Sequence, residues 1–245
     1  MYNDHTMASD KRYFYNFYVH RPLSFLIALI CLKFKVSAIN VTVSRLFIGM
    51  FSLFAMGFAD YHTFIIATFV YNFSLVLDFV DGNIARYFNR KTYIGKMMDG
   101  WIDALISNLL FPFVGLSLGG HYFLFGLLVS LVCMIQSYTS LRYAYLSCRI
   151  QLLSNKTPGR RNSYLKEKYS ERKTIIYLSK AYILFSNCIN NLLYVSNTIG
   201  LIIFAIFEVL DLWIIISGSI TIIFAIIELS KVVYRTFINF NIIYN

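Results

Sequence analysis

The sequence has little charge. Of its 245 residues only 14% are Asp, Glu, Lys or Arg, where a soluble domain carries about 25%. That scarcity excludes a soluble globule, which needs polar residues to cover its surface. Cysteine is also sparse. Cys31, Cys133, Cys148 and Cys188 are scattered and show no C-x-x-C spacing, which argues against both a disulfide framework and a zinc site. There is no internal repeat and no low-complexity segment. The first 20 residues are polar and aromatic rather than a charged stretch followed by an apolar one, so no cleavable signal peptide is expected. Acid is scarcer than base, with 12 Asp and Glu against 22 Lys and Arg. The resulting charge of +10 would suggest nucleic acid in a soluble protein. In a membrane protein it points first to anionic lipid on the cytoplasmic side, and second to a phosphorylated substrate.

What is present is apolar sequence, 58% of the chain. The runs are continuous and roughly 20 residues long, as membrane-spanning helices require. A membrane β-barrel would instead show alternating segments of about ten residues. The expected fold is therefore an all-α integral membrane protein. Ser24 to Leu32 is too short to span and is followed by Lys33 and Lys35, which predicts an interfacial helix over 23–35. Six spans are expected after it, at about Val41–Ala59, Thr63–Ala85, Lys96–Leu118, Tyr122–Leu146, Asn191–Leu210 and Leu212–Val233. Pro112 is expected to kink the third. Residues 149–173 read as a basic loop, and an interfacial helix is placed between it and Asn191. Two units result: an N-terminal cytoplasmic or interfacial segment, 1–40, and a six-helix domain, 41–245.

The positive residues bear on this map. The turns after spans one, three and five, around Asp60, Gly119 and Asp211, hold no Lys or Arg. The basic residues gather at the other ends, which by the positive-inside rule makes both termini cytoplasmic. Arg142, Arg149, Lys231 and Arg235 then read as anchors on that side. Glu228 lies deep in span six, where it would pair with Lys231 or face a cavity.

Four of the twelve acidic residues lie within 26 positions: Asp78, Asp81, Asp99 and Asp103. Carboxylates inside a membrane protein are costly and by default suggest function. Asp78 and Asp81 are spaced i, i+3 and share one helix face. Asp99 and Asp103 are spaced i, i+4 and share a face of the next helix. A short connection over 87–94 makes those helices antiparallel neighbours. Four converging carboxylates repel unless cations or protons lie between them. Oxygen-only ligands favour hard cations such as Mg²⁺, Mn²⁺ or Ca²⁺, and two ions suit a displacement at phosphorus. Gly82 and Gly95 allow close approach to backbone, and Arg86 offers a fork for phosphate. The plainer alternative is a set of helix-end carboxylates neutralised by Arg86, Arg90, Lys91 and Lys96; it leaves the paired spacing across two helices unexplained.

The stretch 78–103 resembles the motif of the CDP-alcohol phosphotransferase family, D-x2-D-G-x2-A-R-x8-G-x3-D-x3-D, with all eight fixed positions present at unaltered intervals. The resemblance implies an enzyme that binds a CDP-linked alcohol at the cytoplasmic face, where a hydroxyl of a second substrate displaces CMP. It implies two Mg²⁺ or Mn²⁺ ions, one held by Asp78, Asp81 and Asp99 and the other by Asp78, Asp99 and Asp103. Asp103 would also be the general base. Gly82, Arg86 and Thr92 would contact the CDP moiety. A homodimer is the family expectation. One departure stands out: the Pro-Asn pair that the family often carries before the first span is replaced by Ala38-Ile39, so Asn40 and Thr42 receive no site role here. The preferred donor is CDP-diacylglycerol with a small polar acceptor. The alternatives are a choline- or ethanolamine-type phosphotransferase with a lipid acceptor and, from another class, a divalent-cation transporter.

Overall fold

A computed structural model describes residues 15–58, 60–88, 93–155 and 185–244. Among these residues the chain is helical and contains no strand. A π-turn, Asn16–His20, runs into α1 (Arg21–Lys33), where Pro22 begins the helix because its missing N–H costs nothing there. Then follow α2 (Ala38–Phe58), α3 (Tyr61–Tyr87), α4 (Tyr93–Leu118), α5 (Gly120–Asn155), α6 (Phe185–Ile206) and α7 (Leu210–Tyr244). The last six are each long and apolar enough to cross a membrane, and α1 is the expected short helix before them.

Helix ends fall where local chemistry allows. After α1 the Val36 N–H bonds the Cys31 carbonyl and the Lys35 N–H bonds that of Leu32, the paired closure of a Schellman motif. Lys35 takes the left-handed conformation this requires, at φ 55°. Glu208 does the same after α6, at φ 60°. The turn between α4 and α5 uses Gly119 and Gly120 at φ 81° and 41°, which glycine tolerates best.

The bundle centre is a dry cluster that includes Leu53, Met56, Ile102, Ile106, Leu110, Val114 and Trp213, all at most 1% exposed. Trp213 stacks on Phe111 at 5.4 Å, and its indole N–H donates to the Ser196 carbonyl at 2.9 Å. That bond satisfies its one donor inside the bundle. A second cluster, with Ala28, Val41, Leu77, Val80 and Ile84, seats α1 against α2 and α3. Many large side chains remain outside this packing. Phe47, Phe51, Phe58 and Leu141 are each about 70% exposed, as lipid-facing positions are.

Three details differ from the sequence expectations. Helix α5 runs on to Asn155, so the first part of the expected loop at 149–173 is helical. Helix α6 begins by Phe185, six residues before the expected span. Asn187 and Asn191 lie in this added stretch, and the Asn191 side chain donates to the Asn187 carbonyl one turn back, so the polar group needs no exit to water. The interfacial helix expected before Asn191 falls partly on residues 156–184, outside the described residues.

Candidate active site

The site lies where three helix ends meet. Helices α2 and α4 begin there and α3 ends there. Helix α2 packs against both α3 and α4, so it lies between the two aspartate-bearing helices, which the short connection over 87–94 predicts as direct neighbours. Ion pairing gathers Asp78 from α3 with Asp99 and Asp103 from α4. One oxygen from each of these three carboxylates lies within 4.8 Å of the others. Their side chains are 27%, 42% and 49% exposed, so the cluster is open to solvent on one side. That openness lets a substrate reach it.

Asp81 is set apart from this triplet. It is 6% exposed, and its Oδ2 accepts a hydrogen bond of 2.6 Å from the Thr42 hydroxyl. Thr42 therefore orients the fourth aspartate, a role the sequence reading did not assign. Asn40 has no such place; its backbone N–H caps on Ser37.

The largest omission of the sequence reading is Arg45. Its side chain is 1% exposed in the middle of the carboxylates. Nη1 donates to Asp78 Oδ1 at 2.5 Å and to Asp99 Oδ1 at 3.2 Å, while Nη2 donates to Asp103 Oδ1. One signal pointed to it: Arg45 is the single charged residue of α2, and a charge inside a span calls for a partner.

Arg86 folds back over Gly82. A Cβ at Gly82 would lie 3.4 Å from Arg86 Nη2, so the guanidinium rests in van der Waals reach of that position. Arg86 donates to Asn83 Oδ1 at 2.8 Å, and Arg21 from α1 donates to the same oxygen at 3.3 Å. Asn83 in turn donates to Ser24. Two guanidinium groups thus meet on Asn83, one from the motif and one from the N-terminal helix. Arg21 also lies over the Phe79 ring at 4.8 Å, a cation–π contact that fixes its position. Thr92 lies outside the described residues.

The N-terminal segment is tied to this region by His20, which is 1% exposed. Its Nδ1 shares a 2.7 Å hydrogen bond with the Tyr194 hydroxyl of α6, and its ring packs on Tyr15 and Phe79. Burial lowers its pKa from 6.5 to about 4. The folded state therefore resists a proton that the unfolded chain accepts. Stability from neutral His20 is complete above about pH 6.5 and is lost as pH falls toward 4, by about 3 kcal/mol in total. Thermal unfolding of the wild type and His20→Phe across this range should show the extra acid sensitivity in the wild type alone. Parallel pH profiles would count against it.

Glu228, the acidic residue deep in α7, is placed away from the aspartates. It pairs with Lys231 at 3.4 Å and accepts from the Ser186 hydroxyl at 3.3 Å.

A half-open triplet of carboxylates at the end of an apolar six-helix bundle, holding the Arg45 guanidinium, is a donor set that could take a divalent cation. The comparison with known families agrees. Residues 35–227 match the CDP-alcohol phosphatidyltransferase model. The chain belongs to that family, and membership supports a phosphotransferase activity in lipid synthesis, with a CDP-alcohol donor and an alcohol acceptor. No curated protein matches the chain. The family is generally dependent on divalent metal, and the donor set here fits that need: three carboxylates, hard oxygen donors, from the ends of α3 and α4.

Proposed function

We propose that this protein transfers a phosphatidyl group from CDP-diacylglycerol to a small polar alcohol, releasing CMP, as a step of phospholipid biosynthesis. The observation that carries the reading is the convergence of Asp78, Asp99 and Asp103 within 4.8 Å on an open side of the bundle. Asp78, Asp81 and Asp99 would hold one Mg²⁺ or Mn²⁺ ion, and Asp78, Asp99 and Asp103 a second. Bound there, the ions supply charge neutralisation of the pyrophosphate and make CMP a better leaving group.

The chain's own groups do the rest. Asp103 is the most exposed of the three, so an incoming hydroxyl can reach it. A protonated alcohol is a poor nucleophile, and the Asp103 carboxylate takes its proton as the oxygen attacks the β-phosphorus. The bond from that phosphorus to the bridging oxygen breaks, and the electron pair leaves with CMP. Arg86, fixed on Asn83 over Gly82, binds the diphosphate, and Thr92 contributes to the nucleotide contact. The site and both termini lie on the cytoplasmic side in this reading, because the α2–α3, α4–α5 and α6–α7 turns carry no Lys or Arg. The homodimer remains a family expectation within the proposal.

A cation transporter would require acidic groups along a path through the membrane. Here the triplet sits at one end of the bundle, and Glu228, the acid deep in α7, is engaged by Lys231.

A donor panel tests the proposal. Purified protein with Mg²⁺ should release CMP from CDP-diacylglycerol when a small alcohol acceptor is added. Release from CDP-choline or CDP-ethanolamine with diacylglycerol, and none from CDP-diacylglycerol, would assign the opposite arrangement of donor and acceptor.

A further inference from the structure

The guanidinium of Arg45 bonds the same three aspartates that converge as a metal-ligating set. It enters the cluster from α2, whereas the aspartates come from α3 and α4. Its side chain is 1% exposed, so little water screens its charge. Nε is buried and has no hydrogen-bond partner among the described residues. The residue is therefore held by the carboxylates at its Nη end and by packing along its stem. Gly49, one turn further along α2, makes that depth possible. A Cβ there would lie 2.6 Å from Ile106 Cδ1 of α4, so the missing side chain lets α2 approach α4 closely.

We propose that Arg45 is a resident counter-cation of the aspartate cluster, which keeps the carboxylates assembled and which a divalent metal ion must displace to bind. The proposal rests on the reading of Asp78, Asp99 and Asp103 as metal ligands. Two physical arguments favour displacement over coexistence. First, each carboxylate of the triplet already spends negative charge on the guanidinium through Oδ1, and a metal ion draws on that same charge. Second, a divalent cation among these carboxylates would lie beside the fixed positive charge of Arg45, and like charges at that separation repel. Arg45 therefore weakens metal binding while it stabilises the protein without metal. Removing one member of a buried ion cluster leaves the other charges uncompensated, so the two effects have one cause and opposite signs.

The sign of the change in metal affinity decides the matter. Mn²⁺ binding to detergent-purified protein, without substrate, is read from the loss of the free-Mn²⁺ electron paramagnetic resonance signal. Arg45→Met, similar in length and uncharged, is expected to bind Mn²⁺ at least tenfold more tightly than the wild type. Its melting temperature should fall in chelator, and Mn²⁺ should raise it by more than in the wild type. Unchanged or weaker Mn²⁺ binding by Arg45→Met would overturn the proposal and make Arg45 a supporting partner of the metal ligands. If Arg45→Met does not fold, Arg45→Lys decides. Its compact ammonium cannot span three carboxylates as a planar fork does, and Mn²⁺ should bind it at least threefold more tightly than the wild type; equal or weaker binding again overturns the proposal. Failure of the underlying metal-site reading looks different: the wild type and an Asp99→Asn, Asp103→Asn double variant would then bind Mn²⁺ alike.

Discussion

Asp103→Asn is expected to lower the rate of CMP release by about 1,000-fold or more while leaving the bundle folded. A positioned general base contributes 10²–10⁴ to a rate, and the change also removes a charged ligand oxygen from the triplet. Asparagine keeps the size of aspartate but cannot take a proton from the acceptor. The side chain is 49% exposed and bonds Arg45 alone among the described residues, so little packing is lost. Single-turnover CMP release, with thermal unfolding as the folding control, checks this. Full activity in the variant would remove Asp103 from the role of base. A large drop in activity with a melting temperature close to that of the wild type is the expected pair of results.

The second large effect is structural. Gly126 of α5 faces the backbone of α4, and a Cβ built on it would lie 2.4 Å from the Phe111 carbonyl oxygen and 3.0 Å from Pro112 N. No rotamer change relieves a clash with backbone. Pro112 has no N–H to give the preceding turn, and α5 packs against that irregular place. Gly126→Val should therefore separate α4 from α5 and destabilise the protein by about 3 kcal/mol or more, at or above the upper end for overpacking. The damage should reach the site, because α4 also carries Asp99 and Asp103. Size-exclusion behaviour and a thermal unfolding series in detergent measure it. Gly126→Ala adds only the Cβ and should fall between the wild type and Gly126→Val. A Gly126→Val protein as stable as the wild type would show that the α4–α5 packing is not as tight as described.

Much of this was legible in the sequence because membrane spans are written in long apolar runs. The first three spans begin within three residues of their expected starts, since lipid leaves the backbone no alternative to the helix. The aspartates were legible through helix periodicity, which put Asp78 with Asp81 and Asp99 with Asp103, and the structure brings Asp78, Asp99 and Asp103 together. Contacts between helices distant in sequence were not legible. Arg45 is 33 positions from Asp78 and 58 from Asp103, and nothing in local spacing says which way α2 turns its one charge. Thr42 was left without a role because neighbouring Ala38 and Ile39 depart from the family pattern, yet its hydroxyl meets Asp81 across the helix interface. His20 and Arg21 belong to the N-terminal segment, whose sequence indicates only a cytoplasmic or interfacial stretch. Their burial depends on Tyr194 and Asn83, partners from α6 and α3.

The most direct test of the central claim, that these aspartates form a metal-dependent site for displacement of CMP, is CMP release from CDP-diacylglycerol during chelation and metal add-back. Activity should vanish in excess chelator and return in full when Mg²⁺ or Mn²⁺ is restored, with no return in Asp99→Asn. CMP release that persists unchanged in excess chelator would contradict the account.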